Sequence, residues 1–556
     1  MKEGLEIAQD AILRPIEEIA AEVGLETGEV EPYGKYRGKV LPSVLDRLRD
    51  RPDAKLIITT AITPTKAGEG KTTTSISLTQ GLGRIGKKAV LCLREPSMGP
   101  IFGMKGGGTG GGRAQVVPME EINLHFNGDF HAVTAAHNLL ASAMDASLYF
   151  GNPLGIDQFT ITWPRTLDVN ARELRYTVIG LGGKAHGVPR ENQFVITAAS
   201  EIMAVLALAS DVHDLRSRIG RIVVAITNDG LPVTADDLKV AGAMTVIMKE
   251  AIKPNLVQTL EGQPALIHAG PFGNIAHANN SILADRIALK LSHYVVTESG
   301  FGSDLGFQKF CDIVCRVGGF KPSAAVLVTT VRGMKSHGGV PFDQLAEENV
   351  DAVKLGSENL AQHIEIVKAY GLPCVISVNR FSSDTDAEIA LVRELAYEAG
   401  AETTVVNEGY AKGGEGAIDL ANAVVDAVER PNAFAHLTPD GTPIKQQIAA
   451  IATRIYGADG VAYQLQAEKD LARIESLGFG NYPVCMAKTH LSLTHDPLVL
   501  GRPKGWRLPV RGAVPSAGAG FVVAICGDLQ LMPGLGRTPT FTKIDIDESG
   551  RTVGLF

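Results

Sequence analysis

Cysteine is scarce in this chain: six residues in 556, scattered along its length. Cys311 and Cys315 stand four apart, but no second pair and no nearby histidine completes a zinc set. That argues against a disulfide or zinc framework and for reduced thiols in a core. Charge of one sign is also lacking. The net charge of −8 comes from interspersed residues without a long single-sign run. A basic nucleic-acid surface is therefore not expected, although a local anion site remains open. Apolar runs such as Phe521-Val522-Val523-Ala524-Ile525-Cys526 are too short to span a bilayer. The first residues, Met1 to Glu6, lack the basic-then-apolar order of a secretion signal. The expectation is a cytoplasmic protein with neither membrane nor nucleic acid as partner.

What the chain does have is core. Hydrophobic residues make up 45% of it and mean hydropathy is +0.09. Its length predicts roughly two to four domains. Leu5, Ile7, Ala8, Ile12, Leu13, Ile16, Ile19 and Ala20 fall at helical spacing. A second short helix is expected around Pro42 to Arg49. Short Val/Ile-rich runs then alternate with helical stretches for over 300 residues. Strand candidates are Ala89–Leu93, Phe194–Thr197, Ile222–Thr227, Thr245–Met248, Ala265–His268, Tyr294–Thr297 and Ala325–Thr330. A later α/β block begins near Ala361, with strands at Pro373–Asn379 and Thr403–Val406 and a helix over Asp384–Ala399. The pattern is α/β, a doubly wound and mostly parallel sheet. Pro431, Pro439 and Pro443 mark a break, and the last hundred or so residues are rich in Gly and Pro. The expected domains are 1–360, 361–455 and 456–556.

One stretch carries the most chemistry. Leu56 to Ile62 reads as a buried strand, and Ser75 to Leu82 as a helix. Between them lies Thr63-Pro64-Thr65-Lys66-Ala67-Gly68-Glu69-Gly70-Lys71-Thr72. Strand, glycine-containing loop, Lys-Thr and helix form the arrangement that cradles nucleotide phosphates. Lys71 is placed at the β/γ-phosphates, and the Thr72 hydroxyl reaches Mg²⁺. Thr65 stands where the motif's first glycine usually does, while Gly68 and Gly70 keep the backbone free.

Further segments sit where strands end. Arg94 and Glu95 follow the run Ala89–Leu93; Arg94 suits a carboxylate or acyl phosphate, or a structural salt bridge. The glycine run 103–113 is either a linker or a backbone that something approaches closely. The spacing of His125, Asp129 and His131 suggests either a metal site, for which no further ligand set is present, or, with the rest of the chain weighed, Asp129 as a hydrogen-bonding partner for a polar heterocycle. Val331 to Gly339 holds Arg332 and Lys335 at a strand end, either as anion contacts or as a basic surface turn. Phe381 and Tyr410 follow two neighbouring strands, and they either clamp a flat ring or pack ordinarily.

Six of these segments, in this order and over nearly the whole chain, resemble the formate–tetrahydrofolate ligase family: Thr63–Thr74, Leu93–Pro100, Gly103–Gln115, Val331–Gly339, Asn379–Phe381 and Ala411–Gly416. The resemblance implies ATP-dependent ligation of formate to tetrahydrofolate through formyl phosphate. It implies ATP contacts along Thr65, Lys66, Ala67, Gly68, Glu69, Gly70, Lys71 and Thr72, with Lys71 and Arg94 catalytic and Thr72 facing Mg²⁺. Asp129 is implied as a folate-contacting acid, with Phe381 and Tyr410 on either side of the pterin. A homotetramer and a monovalent cation such as K⁺ or NH₄⁺ are implied as well. Tyr410 replaces the family's usual Trp, Thr109 and Arg113 depart from its glycine run, and Gly333-Met334 replace its Ala-Leu. Two rival readings are a deviant phosphate-loop switch ATPase of the partitioning type, suggested by Lys66 five residues before Lys71, and another carboxylate-activating ligase resembling dethiobiotin synthetase.

Overall fold

The computed structural model describes residues 4–65, 68–103, 107–528 and 530–555. Lys66 and Ala67 of the loop, and residues 104–106 of the glycine run, lie outside the described residues. The spine is a 12-stranded sheet. Its strands, in chain order, are β1 (Val30–Pro32), β2 (Gly38–Val40), β3 (Lys55–Ala61), β4 (Ala89–Leu93), β5 (Gly110–Gly111) and β6 (Ala114–Val117), then β7 (Asn255–Thr259), β8 (Pro264–Ile267), β9 (Tyr294–Glu298), β10 (Ala324–Thr329), β11 (Cys374–Asn379) and β12 (Thr403–Asn407). The spatial order is β1-β2-β7-β8-β4-β9-β3-β10-β11-β12, with β6 joined to β7 and β5 to β6. From β8 to β12 every pairing is parallel. The other margin, β1, β2, β6 and β7, is antiparallel.

Alternation within each strand explains why both faces of the sheet are covered. On β3, Leu56 and Ile58 point into one core and Ile57 into another; Leu327 and Val326 on β10, and Ile376 and Val375 on β11, divide the same way. A parallel strand buried on both sides is apolar throughout for this reason. Helix α1 (Lys71–Arg84) lays Ile76, Leu78 and Leu82 on the Ile57 face. Helix α2 (Asp129–Tyr149) places Val133, Leu140 and Met144 in the opposite core. Strands β11 and β12 of the 361–455 block extend the same sheet beyond β10. Residues 456–556 carry a separate three-stranded sheet (Val484–Ala487, Phe521–Ile525 and Gly512–Ser516). Lys488 of this part reaches Asp304 in a fully buried ion pair at 2.7 Å.

Several sequence expectations need correction. Thr245–Met248 is not a strand: Ala241–Ile247 is a helix, with Met244 and Thr245 buried while Val246 is 73% exposed. A short apolar run does not distinguish the two forms. Ile222–Thr227 gives a strand at Val223–Ile226, but it pairs antiparallel with Pro232–Thr234 outside the main sheet. Phe194–Thr197 shrinks to Phe194–Val195 beside Arg165–Thr166. Strand β7 escapes the sequence reading because Asn255, Gln258 and Thr259 give it a polar look, although all three are buried. Two helices, Gly4–Gln9 and Ile16–Val23, replace one long N-terminal helix, with Pro15 capping the second. All six cysteines are free and buried. Among the described residues, no helix is long and apolar enough to cross a membrane.

Candidate active site

The carboxyl ends of β3, β4, β9, β10, β11 and β12 lie at one edge of the parallel sheet, where ligands of open α/β sheets collect. The loop after β3 enters α1 through Gly70, whose φ of +71° is left-handed and unsuited to a side chain. Gly68, at φ +73°, turns the same way. The first turn of α1 closes with Thr74 N donating to the Gly70 carbonyl at 2.9 Å, and a helix start of this kind turns its leading N–H groups toward the loop, where an anion binds.

Side chains from distant parts of the chain hold this loop. Asn379, at the end of β11, donates from Nδ2 to the Glu69 carbonyl at 2.8 Å and the Gly70 carbonyl at 3.2 Å. Its Oδ1 accepts from Thr74 Oγ1 at 2.9 Å and from Asn407 Nδ2, at the end of β12, at 3.1 Å. The buried Glu69 carboxylate accepts from Thr65 N and Oγ1 and from Thr330 Oγ1 at the end of β10. The imidazole of His337 bonds the Thr63 carbonyl oxygen at 2.9 Å through Nε2, and burial depresses its pKa.

The charged groups converge on Glu298 at the end of β9. Thr72 Oγ1 donates to one carboxylate oxygen at 2.8 Å. The Arg94 guanidinium, at the end of β4, lies 3.5 Å from the other. Arg94 is 23% exposed and its Nε has no partner, so its donor fork is only partly spent. Thr72 and Arg94 thus meet on one carboxylate, with Lys71 the adjoining residue at the start of α1. A hydroxyl beside a carboxylate is a hard-oxygen pair of the kind that Mg²⁺ takes, so the donor set around Thr72 fits that ion.

Phe381 and Tyr410 stand just past the Asn379–Asn407 pair. The Arg332 guanidinium lies 4.4 Å from the centroid of the Phe381 ring, and Phe381 N donates to Asp384. Tyr410 is 57% exposed. Its carbonyl accepts from Arg113 N at 2.9 Å, and a Cβ on Gly112 (φ +57°) would collide with that same carbonyl oxygen. The close approach expected of the glycine run is therefore to the Tyr410 turn. The segment Val331 to Gly339 is not a basic surface turn. In helix α3 (Val331–His337), Lys335 forms a fully buried pair with Glu388 of α4 (Asp386–Glu398) at 2.9 Å, while Arg332 backs Phe381.

Asp129 lies deeper, at the start of α2. It is 1% exposed, pairs with Lys39 of β2 at 2.7 Å, and accepts from Asn255 of β7 at 2.7 Å. Glu95 is buried nearby; burial, with the Asp129 carboxylate beside it, pushes its carboxyl pKa well up. Among the described residues, no cluster of His, Cys, Asp and Glu is arranged to hold a metal ion. The residues that sequence reasoning missed are Glu298, Glu69 as a hydrogen-bonding hub, and Asn407. Glu298 had a signal, since it directly follows the strand candidate at Tyr294–Thr297.

Fold and site together define an α/β protein with a glycine-turned, cation-bearing crevice at the carboxyl ends of its parallel strands. The model of the formate--tetrahydrofolate ligase family matches residues 2–556, and the chain belongs to that family. It is 56% identical over 560 residues to a formate--tetrahydrofolate ligase of Desulforamulus reducens, covering 99% of each chain. It is 55% identical over 557 residues to one of Symbiobacterium thermophilum, covering 100% of each. A third, of Saccharopolyspora erythraea, is 53% identical over 560 residues and 99% of each chain.

Proposed function

We propose that this protein is an ATP-dependent ligase that joins formate to tetrahydrofolate, giving 10-formyltetrahydrofolate, ADP and phosphate. Membership of the family supports the reaction. The structural observation that carries it is the joining of Thr72 and Arg94 through Glu298, beside Lys71 at the start of α1.

In this reading Thr65, Lys66, Ala67, Gly68, Glu69, Gly70, Lys71 and Thr72 form a P-loop around the ATP phosphates. A formate oxygen attacks the γ-phosphorus, the bond to the β-phosphate oxygen breaks, and formyl phosphate and ADP result. Lys71 offsets charge on the transferring group. Arg94 offers its planar donors to the formate carboxylate and then to formyl phosphate. The N10 amine of tetrahydrofolate attacks the formyl carbon, phosphate leaves, and N10 loses its proton. Formate is a poor electrophile, so the first step supplies the leaving group that the second requires. Thr72 would hold Mg²⁺, which when bound neutralises phosphate charge.

The pterin ring lies between Phe381 and Tyr410, each already backed on one side by Arg332 or the Gly111–Gly112 backbone. Asp129, beside the buried Glu95, is read as the acid that contacts the folate. Residues 1–360 carry nucleotide and formate, 361–455 contribute the aromatics, and 456–556 form a small third unit. A homotetramer, activation by K⁺ or NH₄⁺ and a cytoplasmic location complete the proposal; no residue is assigned to the monovalent cation.

The test is formate-dependent synthesis of 10-formyltetrahydrofolate by the purified chain, with ADP formed in equal amount. ADP release that ignores both formate and tetrahydrofolate would point to a switch ATPase instead. ADP release driven by a different carboxylate would point to another ligase on the same scaffold.

A further inference from the structure

A cavity of about 660 Å³ lies away from this crevice. It opens between the region around residues 160–225 and the strands Gly512–Ser516 and Phe521–Ile525 of the C-terminal part, and none of the site residues named above lines it. This volume is in the range of small-molecule sites.

Its walls are apolar: Trp163, Val195, Phe521 and Val523 are each at most 5% exposed. One end is different. The short strand Arg190–Asn192 pairs antiparallel with Thr177–Ile179. Residues two apart on a strand share a face, so Arg190 and Asn192 project together. Both line the cavity. The Arg190 side chain is only 10% exposed, and its Nη2 bonds Asp145 at 2.7 Å. Asp145 also holds Arg165 at 2.6 Å. One carboxylate thus serves two guanidiniums. Arg190 Nε and Asn192 Nδ2 are buried and have no partner. Both can only donate, and a buried donor without an acceptor is costly.

The other charged lining residues are Glu191, Glu201, Asp470 and Arg473. Two of the acids are already engaged: Glu201 accepts from Gly518 N at 2.7 Å and Ala519 N at 3.3 Å, and Asp470 accepts from Ala513 N at 3.1 Å. The unspent hydrogen-bonding capacity at the Arg190 end is therefore for an acceptor, and a carboxylate, with two acceptor oxygens, matches the guanidinium and amide donors there.

We propose that this cavity is a second ligand site, taking an organic monocarboxylate with an extended apolar body. The carboxylate sits on Arg190 Nε and Asn192 Nδ2, and the body lies along Trp163 and Phe521. The inference does not depend on the ligation reaction, because no residue is shared with the crevice.

The chain has only two tryptophans, Trp163 and Trp506, so a Trp506→Phe variant of the full-length protein makes Trp163 the sole reporter. Decanoate is titrated by calorimetry and by Trp163 fluorescence, with neutral decanamide as the comparison. The expected result is one decanoate per chain, the same dissociation constant by both methods, and no displacement by saturating ATP. Decanamide should bind at least about tenfold more weakly, as should decanoate to Arg190→Gln or Asn192→Leu, in line with loss of a hydrogen bond involving a charged group. Formate-dependent ADP formation should be unchanged in both variants. If Arg190→Gln does not fold, Asn192→Leu carries the test, since it leaves the Asp145 pairs in place. No saturable signal up to about 10 mM decanoate, which means binding weaker than about 3 kcal/mol, overturns the proposal. So does equal binding of decanamide, indifference to both substitutions, or displacement by ATP.

Discussion

The two margins of the central sheet treat their charges differently. At the carboxyl ends of the parallel strands, Arg94 stays partly exposed with one nitrogen unpartnered, and Tyr410 faces solvent. At the antiparallel margin, Lys39 and Asp129 are sealed together, and Asn255 takes the remaining carboxylate oxygen. The parallel margin holds groups with hydrogen-bonding capacity to spare for a ligand. The antiparallel margin uses the same residue types to fix β2, β7 and α2 against one another. A charged residue's type therefore says less about its task than what already surrounds it.

This contrast can be broken by substitution, starting with the largest effect. Lys71→Ala is expected to lower kcat by about 10³-fold with stability little changed, and Arg94→Ser by 10²- to 10³-fold with ATP affinity kept. Steady-state rates and nucleotide titrations check both; a stability loss comparable to the rate loss would erase the distinction. Lys39→Met should do the reverse. Stranding Asp129 without its cation should cost about 3 kcal/mol or more of unfolding free energy in urea.

A third class of charge sharpens the comparison. Asp285 is fully buried with no cation; it accepts from Asn280 at 2.8 Å, and its other oxygen is unpartnered. Burial raises its pKa to about 7 from 3.8. Because the folded-state pKa is raised, its contribution is fully present below pH 3.8 and is lost as pH rises through about 7. Stability should fall by about 2–3 kcal/mol between pH 5 and 8 on this account. Asp285→Asn should flatten the profile in that window, and an unchanged slope would assign it to other groups. The smallest expected effect is Phe381→Ala, with tetrahydrofolate KM raised about tenfold and kcat altered less. Asp129→Asn belongs beside it: a rise in folate KM with unchanged ATP KM supports a ligand role, whereas lost stability alone reduces Asp129 to a partner of Lys39.

Much of the parallel margin was legible because its information is local. A strand, a glycine turn and a Lys-Thr pair are neighbours in sequence, and strand ends name Arg94, Phe381 and Tyr410 in turn. What escaped depends on long-range pairing. The Asn379 clamp on Gly70 spans 309 residues, and Lys39 meets Asp129 across 90. No chain-local pattern encodes either. The polar strand β7 was hidden because its side chains are satisfied by distant partners, and Thr245–Met248 misled because a β-branched run this short fits a helix as well as a strand.

Glu298 has a consequence of its own. One carboxylate binds the Thr72 hydroxyl with one oxygen and lies near the Arg94 guanidinium with the other. Any change that draws it toward the nucleotide side weakens its hold on Arg94 and frees that fork for a small anion. The two halves of the crevice are then thermodynamically linked, and linkage is reciprocal. Formate should bind more tightly to the nucleotide-loaded protein, by the same factor with which formate tightens the nucleotide, and Glu298→Gln should diminish that factor.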